Sequence, residues 1–185
     1  MSDAAVENLV IEIRDHYVAQ FRAFLIHQRA VSHAGSPEVK FELPEGTAAY
    51  RKWAVVDFLR TDDGPESIFF EPEGMLVFDP IEGQMPSSSQ ETVADLTIEG
   101  LRWDAVTIEH DLPAIEEAIA DWFEKWFDPD EVDYDPEAEL TGCVHSVYVA
   151  PQRLHVDLGT ASAEAFWELL EALVEAKATK IRVVS

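Results

Sequence analysis

Apolar residues recur at intervals of three and four from Val6 through Leu9, Val10, Ile13, Tyr17, Phe21 and Phe24, and this spacing predicts a long helix over residues 4–30. Ser2 or Asp3 stands where a cap for its first turn belongs. A second stripe, Ile11, Val18 and Leu25, lies off that face at spacing seven. A helix that is apolar on more than one side is covered on more than one side. Either it lies between layers of its own domain, or a second subunit covers it.

Beyond the helix the period shortens to that of strands. Residues 53–60 form one strand, followed by the turn Asp62-Asp63-Gly64-Pro65. Residues 67–70 and 75–78 make a hairpin across Glu71-Pro72-Glu73-Gly74, with proline where a type I turn accepts it. Ile68, Phe70, Met75 and Val77 share one face of that hairpin, and Phe69, Leu76 and Phe78 share the other. Both faces are apolar, which suits central strands or a subunit contact. Residues 79–92, with Gly83, Pro86 and three consecutive serines, form a polar loop.

Two units of similar layout follow. Strands at 93–98 and 101–108 join across Glu99-Gly100, and Asp111 caps a helix through Phe127. Strands at 144–150 and 153–158 join across Pro151-Gln152, followed by a helix over 162–177 and a last strand at 180–184. The expected architecture is one α+β domain over residues 1–185, interrupted by the polar loop at 79–92 and an acidic linker at 128–142. A mostly antiparallel sheet carries the long first helix and two later ones, in the order α-β-β-β-β-β-α-β-β-α-β.

Composition adds a polarity to this picture. The formal net charge is −24, and 29 of the 37 acidic residues lie after Arg60 with only 6 of the 13 basic ones. Such a field disfavours nucleic acid and anionic membrane as partners and favours a basic protein. An even spread of acid, as in a protein adapted to a salty cytoplasm, does not match the near-neutral first 60 residues. The single cysteine, Cys143, precludes an intrachain disulfide and fits a reducing compartment. With no basic-then-apolar start and no apolar run long enough to span a bilayer, the chain reads as cytoplasmic.

The acid is concentrated on the two later helices. Glu164, Glu168, Glu171 and Glu175 follow one another at four, three and four opposite an apolar face, and no lysine answers them before Lys177. Glu116, Glu117, Asp121 and Glu124 repeat the pattern on the preceding helix against a single Lys125. Glu164, Glu168, Glu171, Glu175, Glu117, Asp121 and Glu124 are therefore the candidate partner-binding residues. Residues 128–139 hold seven acids, but Val132 and Asp133 stand at the fifth position and at the glycine position of a twelve-residue calcium loop, so that assignment fails.

The 144–158 hairpin supplies the only candidate catalytic set. Pairing Val149 with Leu154 places Ser146, Tyr148, Arg153, His155 and Asp157 on one face, with Tyr148 opposite His155 and Ser146 opposite Asp157. Tyr148, His155 and Asp157 have the ingredients of acid–base chemistry, though any solvent-facing hairpin shows a similar set. Cys143 and His145 project to the same side at spacing two, but two ligands fall short of the four that structural zinc takes. No metal and no cofactor is therefore expected. His16, His27 and His33 form no constellation, and the isolated glycines make no phosphate loop.

Three functions are compatible with these residues. The foremost is a non-catalytic interaction protein, inhibitor- or immunity-like or chaperone-like, that presents an anionic helix face to a basic partner. The order of elements is similar to that of type III secretion chaperones, with an extra terminal strand, and this resemblance implies a partner-holding role. The second is a small-ligand binder or enzyme using the face around Tyr148, His155 and Asp157. The third, compatible with the first, is a homodimer formed through the 4–30 helix and the 68–78 hairpin.

Overall fold

The apolar stripe that begins at Val6 forms α1 (Asp3–Val31), and the computed structural model describes residues 3–185, so the proposed Ser2 cap lies outside them. Val10, Ile13, Tyr17 and Phe21 are buried beneath α1, and so are Val18 and Leu25 of the second stripe; only Ile11 stays exposed. The chain itself thus covers most of both stripes, and no second subunit is needed for that purpose.

The rest is an α+β fold built on one nine-stranded, mostly antiparallel sheet. In chain order the strands are β1 (Gly35–Glu42), β2 (Ala49–Arg60), β3 (Glu66–Ile68), β4 (Ile81–Pro86), β5 (Val93–Ile98), β6 (Val106–His110), β7 (Ser146–Ala150), β8 (Arg153–Asp157) and β9 (Lys180–Val184). The two later helices are α2 (Ala120–Phe127) and α3 (Ala163–Glu175). Across the sheet the order is β1-β2-β7-β8-β6-β9-β5-β4, with β3 paired to the far end of β2. Val147, Leu154, Val156, Ile108, Ile181 and Val183 are buried on one side of this sheet in a continuous core with the helices. On its open side Arg182 bridges Glu99 and Glu109, and Arg153 also bonds to Glu109.

Several local expectations are corrected. β1 had no counterpart in the sequence reading; it pairs along β2 with Pro37 inside it, as an edge strand allows. The 68–78 hairpin does not form. After β3, residues 69–80 run as an extended strap over α1, where Phe70 meets the rings of Tyr17, Phe21 and Phe24 and Gln20 bonds to the backbone of Glu73. Its apolar residues bind their own helix, while Phe69, Met75 and Val77 on the opposite side remain exposed. The polar loop shrinks to the turn after Pro86, because 81–86 is the edge strand β4.

The hairpin at Glu99-Gly100 is also replaced. β9 enters between β5 and β6, parallel to the first and antiparallel to the second. Leu101 and Trp103, read as strand residues, turn into the core instead and leave β6 to begin at Val106. The helix expected over 112–127 is α-helical only from Ala120; Pro113 through Ile119 make irregular turns that bury Ile115 and Ile119. Asp111 caps nothing there. Its carboxylate accepts bonds from the Thr179 hydroxyl and amide and from the Lys180 amide, pinning the entry to β9.

Among the described residues no helix is long and apolar enough to cross a membrane.

Candidate functional site

The seven candidate partner-binding acids fall into two groups. Glu168 accepts two bonds from Lys125 Nζ, at 2.7 and 2.9 Å, and one from the Trp126 indole at 2.8 Å. Burial works to raise its carboxyl, and the Lys125 and Trp126 bonds outweigh it and hold it below the ordinary value. Glu175 accepts the Ser88 amide, and Glu124 pairs with Arg51. These three acids serve the fold.

Glu164, Glu171, Glu117 and Asp121 are exposed, although the irregular turns put Glu117 outside α2. Glu164 and Glu171 line a groove of about 660 Å³ between α1, α3 and the edge strand β4. Val6, Ile11, Met85, Leu96 and Trp167 give it an apolar lining, and Glu7 and Asp15 complete the acidic set. Arg14 also lines it, but its guanidinium is tied to the carbonyls of Ala161 and Thr160 and to Asp15. A neighbouring depression between α2 and α3, about 550 Å³, shares Pro86 and Glu171 with the first and adds Asp121 and Trp122. Among the described residues β4 pairs with β5 alone, so its other edge faces this region without a strand partner there.

The hairpin pairs as its sequence requires, with Tyr148 opposite His155, Ser146 opposite Asp157 and Val149 opposite Leu154. The candidate catalytic residues are nonetheless divided. His155 Nδ1 lies 3.0 Å from Thr107 Oγ1 on the open side of the sheet. Tyr148 and Asp157 line a separate groove of about 560 Å³ together with Asp57, Phe41 and Ser146, and His155 is not part of it. The acidic linker folds into successive turns in which the Asp128 carboxylate accepts the amides of Val132 and Asp133.

Beneath that groove is a buried cluster of charged side chains. The antiparallel register of β1 and β2 sets Glu38 across from Asp57. Like charges at such positions repel, and here His145 lies between them. His145 Nε2 is 3.0 Å from Glu38 Oε1 and Nδ1 is 2.9 Å from Asp57 Oδ1, with the imidazole 1% exposed. The second contact is out of line for a hydrogen bond, so Nδ1 is held by charge alone. Thr160 donates its hydroxyl to Glu38, the Thr141 amide reaches Glu38 Oε2 at 2.8 Å, and the Thr141 hydroxyl bonds to Cys143 Sγ at 3.0 Å.

The electrostatics follow from burial and pairing. Burial favours neutral His145, but the adjacent Asp57 carboxylate and the bond to Glu38 outweigh it and raise its pKa well above the ordinary histidine value. Burial likewise acts to raise Glu38, and the His145 bond and charge carry it below the ordinary carboxylate value. Asp157, whose carboxylate is 4.0 Å from His145 Nδ1, is pushed up to about 7 by burial, with the charge of Asp57 adding to it against that of His145. Burial raises the Cys143 thiol. Donor atoms of Glu38, Cys143 and His145 lie within 4.8 Å of one another, so Glu38 supplies the third potential ligand that the sequence did not reveal.

Comparison with protein-family models, curated proteins and solved structures finds no match. The likeness of element order to type III secretion chaperones therefore has no structural match behind it.

Proposed function

We propose that this chain is a non-catalytic binding protein that holds an extended, basic segment of a partner protein in the groove between α1, α3 and β4. The observation that carries this reading is the coincidence, in one place, of an apolar lining, acids at Glu7, Asp15, Glu164 and Glu171, and the unpaired edge of β4. An extended peptide adds to such an edge through its main chain and sets alternate side chains into the adjoining groove. Lysines or arginines on the other side chains then meet the acids. The charge of −24 speeds encounter and selects basic partners more than it adds affinity. A segment held this way is masked from other contacts, as in an inhibitor or a chaperone.

The test is a fluorescence titration with a labelled peptide of alternating lysine and leucine, set against a glutamate–leucine peptide of the same length. Binding of the lysine peptide is expected to weaken as salt rises. Exposed ion pairs contribute about 0.2–1 kcal/mol each, so combined E164Q and E171Q should weaken it by roughly 2- to 30-fold. Equal binding of the two peptides, or affinity indifferent to both salt and the substitutions, would overturn the reading.

A second reading, uptake of a small ligand at the hairpin face, draws on the groove that Tyr148 and Asp157 share with Asp57. It predicts that Y148F and D157N change ligand-induced thermal shifts while H155A does not. A ligand whose shift depends on His155 alone would count against it.

A further inference from the structure

Three donors of different chemistry converge in the core from β1 and from the segment that leads into β7: a carboxylate (Glu38), a thiol (Cys143) and an imidazole (His145). They are 4%, 4% and 1% exposed. His145 Nε2 and Glu38 Oε1 stand 3.0 Å apart and no separation among the three exceeds 4.8 Å, which brackets the roughly 3.3–3.8 Å between ligand atoms that tetrahedral zinc imposes.

A second observation, independent of those three donors, concerns the other ring nitrogen. His145 Nδ1 is buried and lacks an aligned hydrogen-bond partner, yet Asp57 Oδ1 waits 2.9 Å away. Metal-ligating histidines characteristically give their free ring N–H to a carboxylate, which fixes the tautomer and the ring orientation. A cation on the opposite nitrogen would fix the Nδ1 proton and turn this misaligned contact into such a bond. Gly159 adds a backbone restraint, because its bare Cα packs against the ring where a Cβ would come to 2.1 Å.

Charge argues the same way. Glu38, Asp57 and Asp157 surround one imidazole, while Lys40, the base on the same strand as Glu38, is bonded to the carbonyl of Asp128. The groove lined by Asp57 and Asp157 is one side chain away from the cluster, since these carboxylates lie 2.9 and 4.0 Å from His145 Nδ1. Thiolate and imidazole together select a borderline-soft transition ion over calcium or magnesium.

We propose that Glu38, Cys143 and His145 bind one zinc ion, with Asp57 positioning the His145 ring. Binding replaces the Glu38–His145 hydrogen bond. The proton on Nε2 and the thiol proton leave to solvent as the nitrogen and sulfur take up the metal.

The experiment is titration of the intact, chelator-treated protein with cobalt(II) followed by displacement with zinc. Cys143 is the only cysteine, so a thiolate-to-cobalt charge-transfer band can arise nowhere else in the chain. One equivalent of cobalt is expected to produce the band, and zinc to abolish it. C143S should remove the band, and D57N should keep it while weakening zinc by about 10- to 100-fold. Absence of the band in the unsubstituted protein at any excess of cobalt overturns the proposal, whatever the variants do. So does multi-equivalent binding without a band, which marks exposed carboxylates such as those of residues 128–139.

Discussion

Replacing Gly159 by alanine tests how tightly the buried histidine is held. Gly159 has φ +54°, and an added Cβ would stand 2.1 Å from His145 Cδ2 and 2.6 Å from the Cys143 carbonyl oxygen. The ring has little room to retreat, since Glu38 and Asp57 hold its two nitrogens and Phe21 packs against it with ring centroids 5.7 Å apart. Two costs combine. A left-handed backbone costs a non-glycine residue about 1–2 kcal/mol, and overpacking a close-packed site costs about 1–3 kcal/mol. Their sum is a loss of roughly 2–5 kcal/mol. Gly142 provides the control: its φ is +73° and nothing lies within 4 Å of its added Cβ, so G142A should show the backbone cost alone. Urea unfolding of both variants measures the difference, provided the m-value is unchanged. If G159A falls within about 0.5 kcal/mol of G142A, the histidine is not clamped as described.

Two further predictions concern charge. H145A leaves Glu38 and Asp57 buried without their cation and should lose about 3–5 kcal/mol in urea unfolding; adding E38Q should recover part of that loss, and a double variant as unstable as the sum of the singles would refute the coupling. Asp111 is held below the ordinary carboxylate value by the Thr179 hydroxyl and by the Thr179 and Lys180 amides, so its contribution is complete above the unfolded pKa and is lost as pH falls through the lowered folded value. Unfolding curves of D111N and the unsubstituted protein, separated at neutral pH by less than ~1 kcal/mol because solvent screens this exposed carboxylate, should therefore converge on acidification. A gap independent of pH would refute this.

What the sequence disclosed was set by how local the signal is. The stripe of α1, the register of β7 with β8 and the bounds of β9 all follow from side-chain periodicity and turn chemistry over a few residues. The Glu99-Gly100 hairpin failed because a strand from more than eighty residues later outcompetes the local turn for β5 and β6. The 68–78 hairpin failed for a related reason: Phe70 gains more against the rings of α1 than by pairing with Met75. Cys143 and His145 were visible as neighbours on one face, but Glu38 and Asp57 reach His145 only because β1 pairs with β2 and β2 with β7. A single acid in an unremarked segment gives no sign of such a destination. The acid row of α3 was legible as a row, yet not which members already had partners, because Lys125, Trp126 and Ser88 come from elsewhere in the chain.

The position of β9 bears on how the chain is made. β5 and β6 emerge from the ribosome early, but the strand that joins them comes last of the nine. About 70 residues separate His110 from Lys180, so at ~5–20 residues per second the two facing edges wait roughly 4–14 s for their partner. Open edges held that long invite pairing with other nascent chains. A translational stall within α3 would thus yield two unjoined half-sheets, and synonymous codon changes there should alter the soluble yield without changing a single contact in the finished molecule.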